Sequence, residues 1–252
     1  MFLKKALKKC VISLGINSKS RPGCPPKIWQ DFPRGIRRIR ERLKELGFKG
    51  DFIGWDNDYP EGAPVFKEVN DWVKPFCFLD AYKRGYDLVL WVDSAANFKI
   101  SPEPLFRIIE KRGYLIINAD CDVGKYCSDV ALEALGLTRK KSFSLKSCWG
   151  AVLGLDFRKK KSLDLVYFWK EKATDGITFY GAKWSGIHGY PISVSADPRV
   201  KGHRNQIVPS VAAYRLGMLK WMNKRELYNK YITIEREYVR MYDEDNGKVE
   251  ER

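Results

Sequence analysis

The chain has 252 residues, 44% of them hydrophobic and 13% aromatic, which supplies a sizeable core and excludes an intrinsically disordered protein. Forty-six Lys and Arg against 31 Asp and Glu leave a formal net charge of +15, a balance that favours phosphates, nucleic acid or an anionic membrane surface as partners. No uncharged apolar run reaches the roughly 18 residues of a membrane-spanning helix, and two histidines are too few for a His-rich metal centre.

In chain order, Met1-Phe-Leu-Lys-Lys-Ala-Leu-Lys-Lys brings positive charge to an apolar stretch, Cys10 to Ile16, interrupted by Ser13 and Gly15. No small-residue cleavage site follows, so the segment reads as a basic lead into a first strand, Cys10–Leu14, with an anchor for anionic lipid as the alternative. Residues 17–27 are rich in Pro, Gly and Ser and read as loop. Asp31 caps a helix that has Pro33 in its first turn; Ile36, Ile39, Leu43 and Leu46 recur at helical spacing, and Gly47 ends it. The opposite face carries Arg37, Arg38, Arg42 and Lys44, read as solvated charge or as a contact for phosphate or membrane.

A strand, Asp51–Trp55, follows. After a polar loop a helix opens at Pro75 and stops at Gly85. Leu88–Val92 is a continuous apolar run, as in a strand buried on both faces of a parallel sheet. Pro104–Arg112 reads as a helix closed by Gly113, and Tyr114–Asn118 as the next strand. This alternation predicts an α/β fold with a mainly parallel sheet. The second half is less regular: a Gly-rich strand at Trp149–Leu155, a helix at Ser162–Lys172, a short strand at Ile192–Ser195 and a helix at Gln206–Leu216. The tail from Arg236 to Arg252 is charged and poor in apolar residues, which predicts a frayed end. No strong linker interrupts the chain, so one domain over 1–252 is expected: a nucleotide-binding half (10–120), a donor-sugar and acceptor half (121–235), and the tail.

Six cysteines, at 10, 24, 77, 121, 127 and 148, form no C-x-x-C pair. Without a secretory leader they read as reduced thiols in a cytoplasmic protein, with peripheral membrane contact as a possible addition.

The chemistry concentrates at Leu88-Val-Leu-Trp-Val-Asp93-Ser94-Ala-Ala-Asn97. An acidic residue directly after a hydrophobic strand sits at the sheet's C-terminal edge, where open α/β sheets place ligands. There a carboxylate can hold a divalent cation that neutralises a diphosphate; Asp-Ser after a strand is also ordinary turn chemistry. Lys201, His203 and Arg204 share a segment with Gln206, and Lys74 opens the helix leading toward Asp93. Cationic groups of this kind suit a leaving diphosphate, whose charge grows in the transition state. His188 is a weaker candidate, and Trp149 and Trp184 are candidates to stack on a sugar or base, core packing being the plainer reading of Trp149.

The stretch from Lys74-Pro-Phe through Ala81-Tyr-Lys-Arg-Gly-Tyr-Asp-Leu-Val-Leu-Trp-Val-Asp93-Ser resembles nucleotide-sugar glycosyltransferases of the GT-A fold. Cys148-Trp-Gly-Ala-Val-Leu-Gly154 looks like that family's small-residue strand beside the donor sugar. The segment from Asp197 through His203-Arg-Asn-Gln206 to Ser210 is similar to its Asp-Gln element at the start of a late helix. Coverage is residues 65–217, by pattern rather than identity. The resemblance implies a Rossmann-type GT-A-like domain, a nucleotide-diphosphate sugar bound by Lys74, Asp93, Ser94, Trp149, Gly150, His203, Arg204 and Gln206, and Mn²⁺ or Mg²⁺ on Asp93 and His203. It also implies a glycan, lipid-linked or protein acceptor; inverting transfer needs a base, for which Asp197 or Asp156 are the candidates, whereas retaining transfer needs none if the leaving phosphate takes the proton, and the sequence does not choose between them.

Two departures bear on this. Ala95 stands where the family's Asp-x-Asp motif has its second carboxylate, and Asn205 precedes Gln206 in place of Asp. One carboxylate holds Mg²⁺ or Mn²⁺ weakly unless other ligands complete the shell; Asp120 and Asp122 are candidates if their loop folds back. The alternatives are transfer without metal, Lys and Arg bearing the phosphate charge, or a GT-A-like binding domain that has lost catalysis. A basic nucleic-acid binder is a further alternative, but no RNP, helix-turn-helix or zinc signature occurs, so nucleic acid is not the expected partner.

Overall fold

The computed structural model describes residues 6–17, 31–64, 73–179, 182–184, 191–193, 195–201 and 206–236. His188, His203, Arg204 and the charged tail beyond 236 lie outside the described residues, as does the side chain of Trp184.

The apolar runs become a five-stranded sheet. β1 (Lys9–Gly15) lies between β2 (Asp51–Asp56) and β3 (Leu88–Val92), parallel to both. β6 (Lys146–Asp156) pairs antiparallel with β3 on one side and with β5 (Tyr114–Asp122) on the other, so the order is β2-β1-β3-β6-β5. Four strands thus run one way and β6 alone runs against them. The mainly parallel α/β sheet is borne out; the strand expected at Trp149–Leu155 is longer and reversed.

Alternation along β3 divides the core. Val89 and Trp91 face α2 (Lys74–Lys83), α6 (Lys160–Thr174) and α7 (Ile207–Arg215), where Phe78, Leu165, Trp169, Val208 and Val211 pack. Leu88, Leu90 and Val92 face α1 (Phe32–Glu45) and α3 (Glu103–Arg112), against Ile39, Leu43, Leu105 and Ile109. Asp31 caps α1 as expected, its carboxylate accepting from Arg34 N–H at 3.1 Å. Gly113 closes α3 at φ 86°, a left-handed turn that a glycine adopts without strain.

Several short elements carry no clear period in the sequence. β4 (Ala96–Phe98) pairs antiparallel with β9 (Ile232–Ile234), and β7 (Ala182–Trp184) with β8 (Pro191–Ser193). Helices α4 (Asp129–Ala134), α5 (Arg139–Ser144) and α8 (Arg225–Tyr231) complete the second half. The basic face of α1 is not simply solvated. Arg38 donates to the carbonyls of Ala95 and Ala96 and to Glu235, and Arg42 to the carbonyls of Phe98 and Lys99.

The five described cysteines are free thiols. Among the described residues no helix is long and apolar enough to cross a membrane.

Gly15 ends β1 directly beneath α1: a Cβ there would meet the Phe32 carbonyl oxygen at 2.6 Å and Ile36 Cγ1 at 2.7 Å. Backbone cannot yield as a side chain can, so Gly15→Ala should cost about 1–3 kcal/mol of stability in urea unfolding.

Candidate functional site

Asp93 is the first residue past β3, and its peptide N–H still donates to Ala151 O of β6 at 2.9 Å. Two residues on from Trp91, its side chain leaves the sheet on the α2 face. There Oδ1 accepts from Lys74 Nζ at 2.8 Å and from the Trp91 indole N–H at 3.0 Å. Lys74 Nζ also donates to Gly150 O at 2.9 Å and lies 4.9 Å from the Trp91 ring centroid. The Lys74 side chain is 10% exposed and that of Asp93 39%. Lys74, Asp93 and Gly150, far apart in sequence, therefore meet at one point on the sheet edge, and Asp93 Oδ2 has no hydrogen bond among the described residues.

Gly150 can take part because the β5–β6 ladder breaks beside it. Between the pairs Ile116–Leu153 and Asn118–Cys148, β6 carries Trp149 to Val152 while β5 carries only Ile117, which bridges to Asn223 instead. The Gly150 N–H turns to Gln206 Oε1 at 3.4 Å, and Gln206 Nε2 donates to Ser147 Oγ at 3.1 Å. Ser210 Oγ accepts from Cys148 N–H at 2.8 Å. Gln206 at the head of α7 is thus a buried brace for β6, engaged with the Gly150 peptide and the Ser147 hydroxyl.

Trp149 is half-buried. Tyr228 of α8 meets it edge-on, ring centroids 4.2 Å apart, and the Arg225 guanidinium lies 4.9 Å from its ring. Tyr228 and Arg225 were not legible as site residues: α8 is short and its aromatic spacing resembles any packed helix. The Tyr228 hydroxyl is buried with no hydrogen-bond partner among the described residues. Burial, and then the Asp93 carboxylate, push its ionisation well above the usual phenol range.

The turn after Asp93 is fastened from behind. Ser94 and Ala95 are buried. The Ala95 carbonyl accepts from Glu235 N–H at 2.8 Å and from Arg38 at 3.2 Å, and Glu235 accepts from Arg38, Asn97 and Thr233. Burial raises the Glu235 carboxyl, but these donors and the Arg38 charge outweigh it and hold the group below its ordinary range. The Ala95 position is thus part of a closed polar clamp.

Asp156, Asp120 and Asp122 are not brought to Asp93. Asp156 pairs in register with Leu88, at the opposite end of β3, about 16 Å along the strand. It is fully buried and gripped by both ends of the Arg158 guanidinium at 2.8 Å, a structural pair. Asp197 is held by Arg199 at 2.6 Å in a segment that Asp129 fastens through Ser195 Oγ and Ala196 N–H. Asp122 pairs with Lys146 at 2.8 Å on the far side of β6, and Asp120 is exposed there with φ 55°; two strand spacings put them about 10 Å from the Asp93 strand.

A divalent cation fits these residues poorly. No group of three His, Cys, Asp or Glu side chains that could hold one occurs among the described residues, and Asp93 Oδ1 already carries an ammonium.

No protein-family model matches the sequence, and no curated protein does. Solved structures to which the chain is similar include WbbM, a bifunctional glycosyltransferase in its apo form, at 10% identity and TM-score 0.34 over 66% of this chain and 35% of that one. A Bacillus anthracis protein assigned as a glucose-1-phosphate thymidylyltransferase, solved with sucrose, is similar at 10% identity and TM-score 0.32 over 65% of this chain and 74% of that one. The chain thus spans about a third of the length of the first.

Because the Tyr228 hydroxyl is buried unpaired, Tyr228→Phe should be at least as stable as the wild type in thermal unfolding; a loss beyond about 1 kcal/mol would reveal a structural partner. Arg199, by hydrogen bonding, holds the Asp197 carboxyl down to about 2 from 3.8. A depressed carboxyl stabilises the fold above its unfolded pKa, and that contribution disappears as pH falls from 3.8 toward about 2. Asp197→Asn should flatten the stability–pH curve over that window, read by urea unfolding at stepped pH.

Proposed function

We propose that the chain transfers a sugar from a nucleotide-diphosphate donor to an acceptor hydroxyl at the Asp93 edge of the sheet. The observation that carries this reading is the half-exposed Asp93 carboxylate at the C-terminal end of β3, one oxygen clamped by Lys74 and Trp91 and the other without a hydrogen bond among the described residues. Open α/β sheets take their ligands at that edge. In this reading Oδ2 accepts from a donor hydroxyl, and Lys74 stabilises the charge that gathers on the leaving diphosphate. Arg225, held over the Trp149 ring that Tyr228 meets edge-on, is a second cation for the phosphates. The anomeric C–O bond to phosphate breaks with its electron pair leaving on the nucleoside diphosphate. The acceptor oxygen forms the new bond, and its proton passes to the leaving phosphate or to water. Asp156, at the other edge, takes no part.

A second reading, a binding domain without turnover, is favoured by the burial of Ala95 in the Arg38–Glu235 clamp. It predicts donor binding with no release of nucleoside diphosphate.

The test is thermal unfolding against UDP-, GDP-, ADP-, CMP- and dTDP-sugars. A donor at about a hundred times its Kd should add about 2.7 kcal/mol, roughly 2–4 °C for a chain this size. Asp93→Asn keeps an oxygen for Lys74 while removing the charge, and should abolish the shift without lowering the unliganded midpoint by more than a few degrees. An unchanged donor Kd in that variant would sink the assignment.

A further inference from the structure

We infer that the Lys74 ammonium, and not a divalent cation, is the cation seated on Asp93 and hydrogen-bonds the donor diphosphate, so that binding needs no metal. The inference rests on the donor-binding reading above and names the counter-charge of that same site.

Lys74 breaks two local rules at once. Lysine is seldom buried, yet this residue is 8% exposed. Cations are disfavoured at helix N-termini, yet Lys74 is the first residue of α2, whose first turn holds no acidic residue. A lysine buried there is kept by its acidic partner, and here that partner is Asp93, at 2.8 Å.

Its surroundings are those of a bound cation. Nζ contacts one carboxylate oxygen, Asp93 Oδ1 at 2.8 Å, and one carbonyl oxygen, Gly150 O at 2.9 Å, and lies 4.9 Å from the Trp91 ring. These are hard oxygen ligands, the kind Mg²⁺ or Mn²⁺ would take, and they are satisfied by a covalently tethered charge. An ammonium has three N–H donors; two are engaged among the described residues, leaving the third for a phosphate oxygen. A metal ion approaching Asp93 would meet a like charge already seated on Oδ1. Ala95, buried in the polar clamp, supplies no second carboxylate to offset that repulsion. The Lys74–Asp93 pair is neutral by itself, so the diphosphate's remaining charge falls to Arg225 and to the field of a chain carrying +15. Binding should therefore weaken as ionic strength rises.

The experiment is calorimetric titration of the full chain with UDP, GDP, ADP, CDP, dTDP and inorganic pyrophosphate, in excess EDTA and again with Mn²⁺ or Mg²⁺. At least one probe should bind equally with and without metal, to within about threefold in Kd, and Lys74→Met should weaken it by about tenfold or more in both conditions, with Lys74→Arg restoring most of the loss. Binding that requires added metal overturns the inference and leaves the donor site standing. So does metal-free binding that Lys74→Met leaves unchanged. No binding by any probe in either condition removes the donor-binding reading itself, and this inference with it. Since Lys74→Met leaves Asp93 without its counter-ion, the Lys74→Met/Asp93→Asn double variant, which removes both charges, is the folding control. The metal comparison on the wild type needs no variant at all.

Discussion

At Gly150 the ladder between β5 and β6 breaks, and a peptide group released inside a protein must find another partner or cost about 1–3 kcal/mol. Its N–H finds Gln206 and its C=O finds Lys74. Two side chains from opposite halves of the chain are therefore fixed in place by one residue's backbone needs. The remaining geometry of the edge follows from that. Lys74, held at Gly150, is in reach of Asp93 Oδ1; Gln206, held at Gly150 and Ser147, sets the start of α7 against β6. A regular β6 would have used those groups in the sheet and left Lys74 a buried cation with only Asp93 to satisfy it.

The reversal of β6 is what makes this possible. Running against β3, it delivers its first residues, rather than its last, to the C-terminal edge, so Ser147 to Ala151 lie beside Asp93 while Asp156 is carried to the far end. Direction alone thus separates two aspartates that look equivalent in the sequence, since each directly follows or closes an apolar strand. One is half-exposed; the other is sealed beneath Arg158.

Much of this was legible from the chain itself, and the reasons are specific. β1, β2, β3 and the helices α1, α2, α3, α6 and α7 have strong apolar periods or Pro and Gly at their ends, and they fall within a residue or two of expectation. The Asp93 position followed from the same logic. The direction of β6 was not legible, because an apolar Gly-rich strand reads the same both ways. Neither was the register break, which depends on Asn223 displacing part of β6 beside β5. The role of Arg38 was hidden for a different reason: on a helical wheel it belongs to the polar face of α1, but that face turns toward carbonyls of the Asp93 turn rather than to water. Tyr228 and Arg225 sit on a helix too short to show a period.

The pairing of β4 with β9 joins Asn97 to Thr233 and Glu235, across more than half of the chain. Chains are synthesised from the N-terminus at about 5–20 residues per second, and a contact this distant in sequence is closed late. The first three strands and α1 can pack while the ribosome is still working, yet the Glu235 carboxylate that accepts from Arg38 emerges 197 residues after it. The turn that presents Asp93 is thus finished by residues made long after it, and a nascent chain holds its sheet before it holds that turn closed.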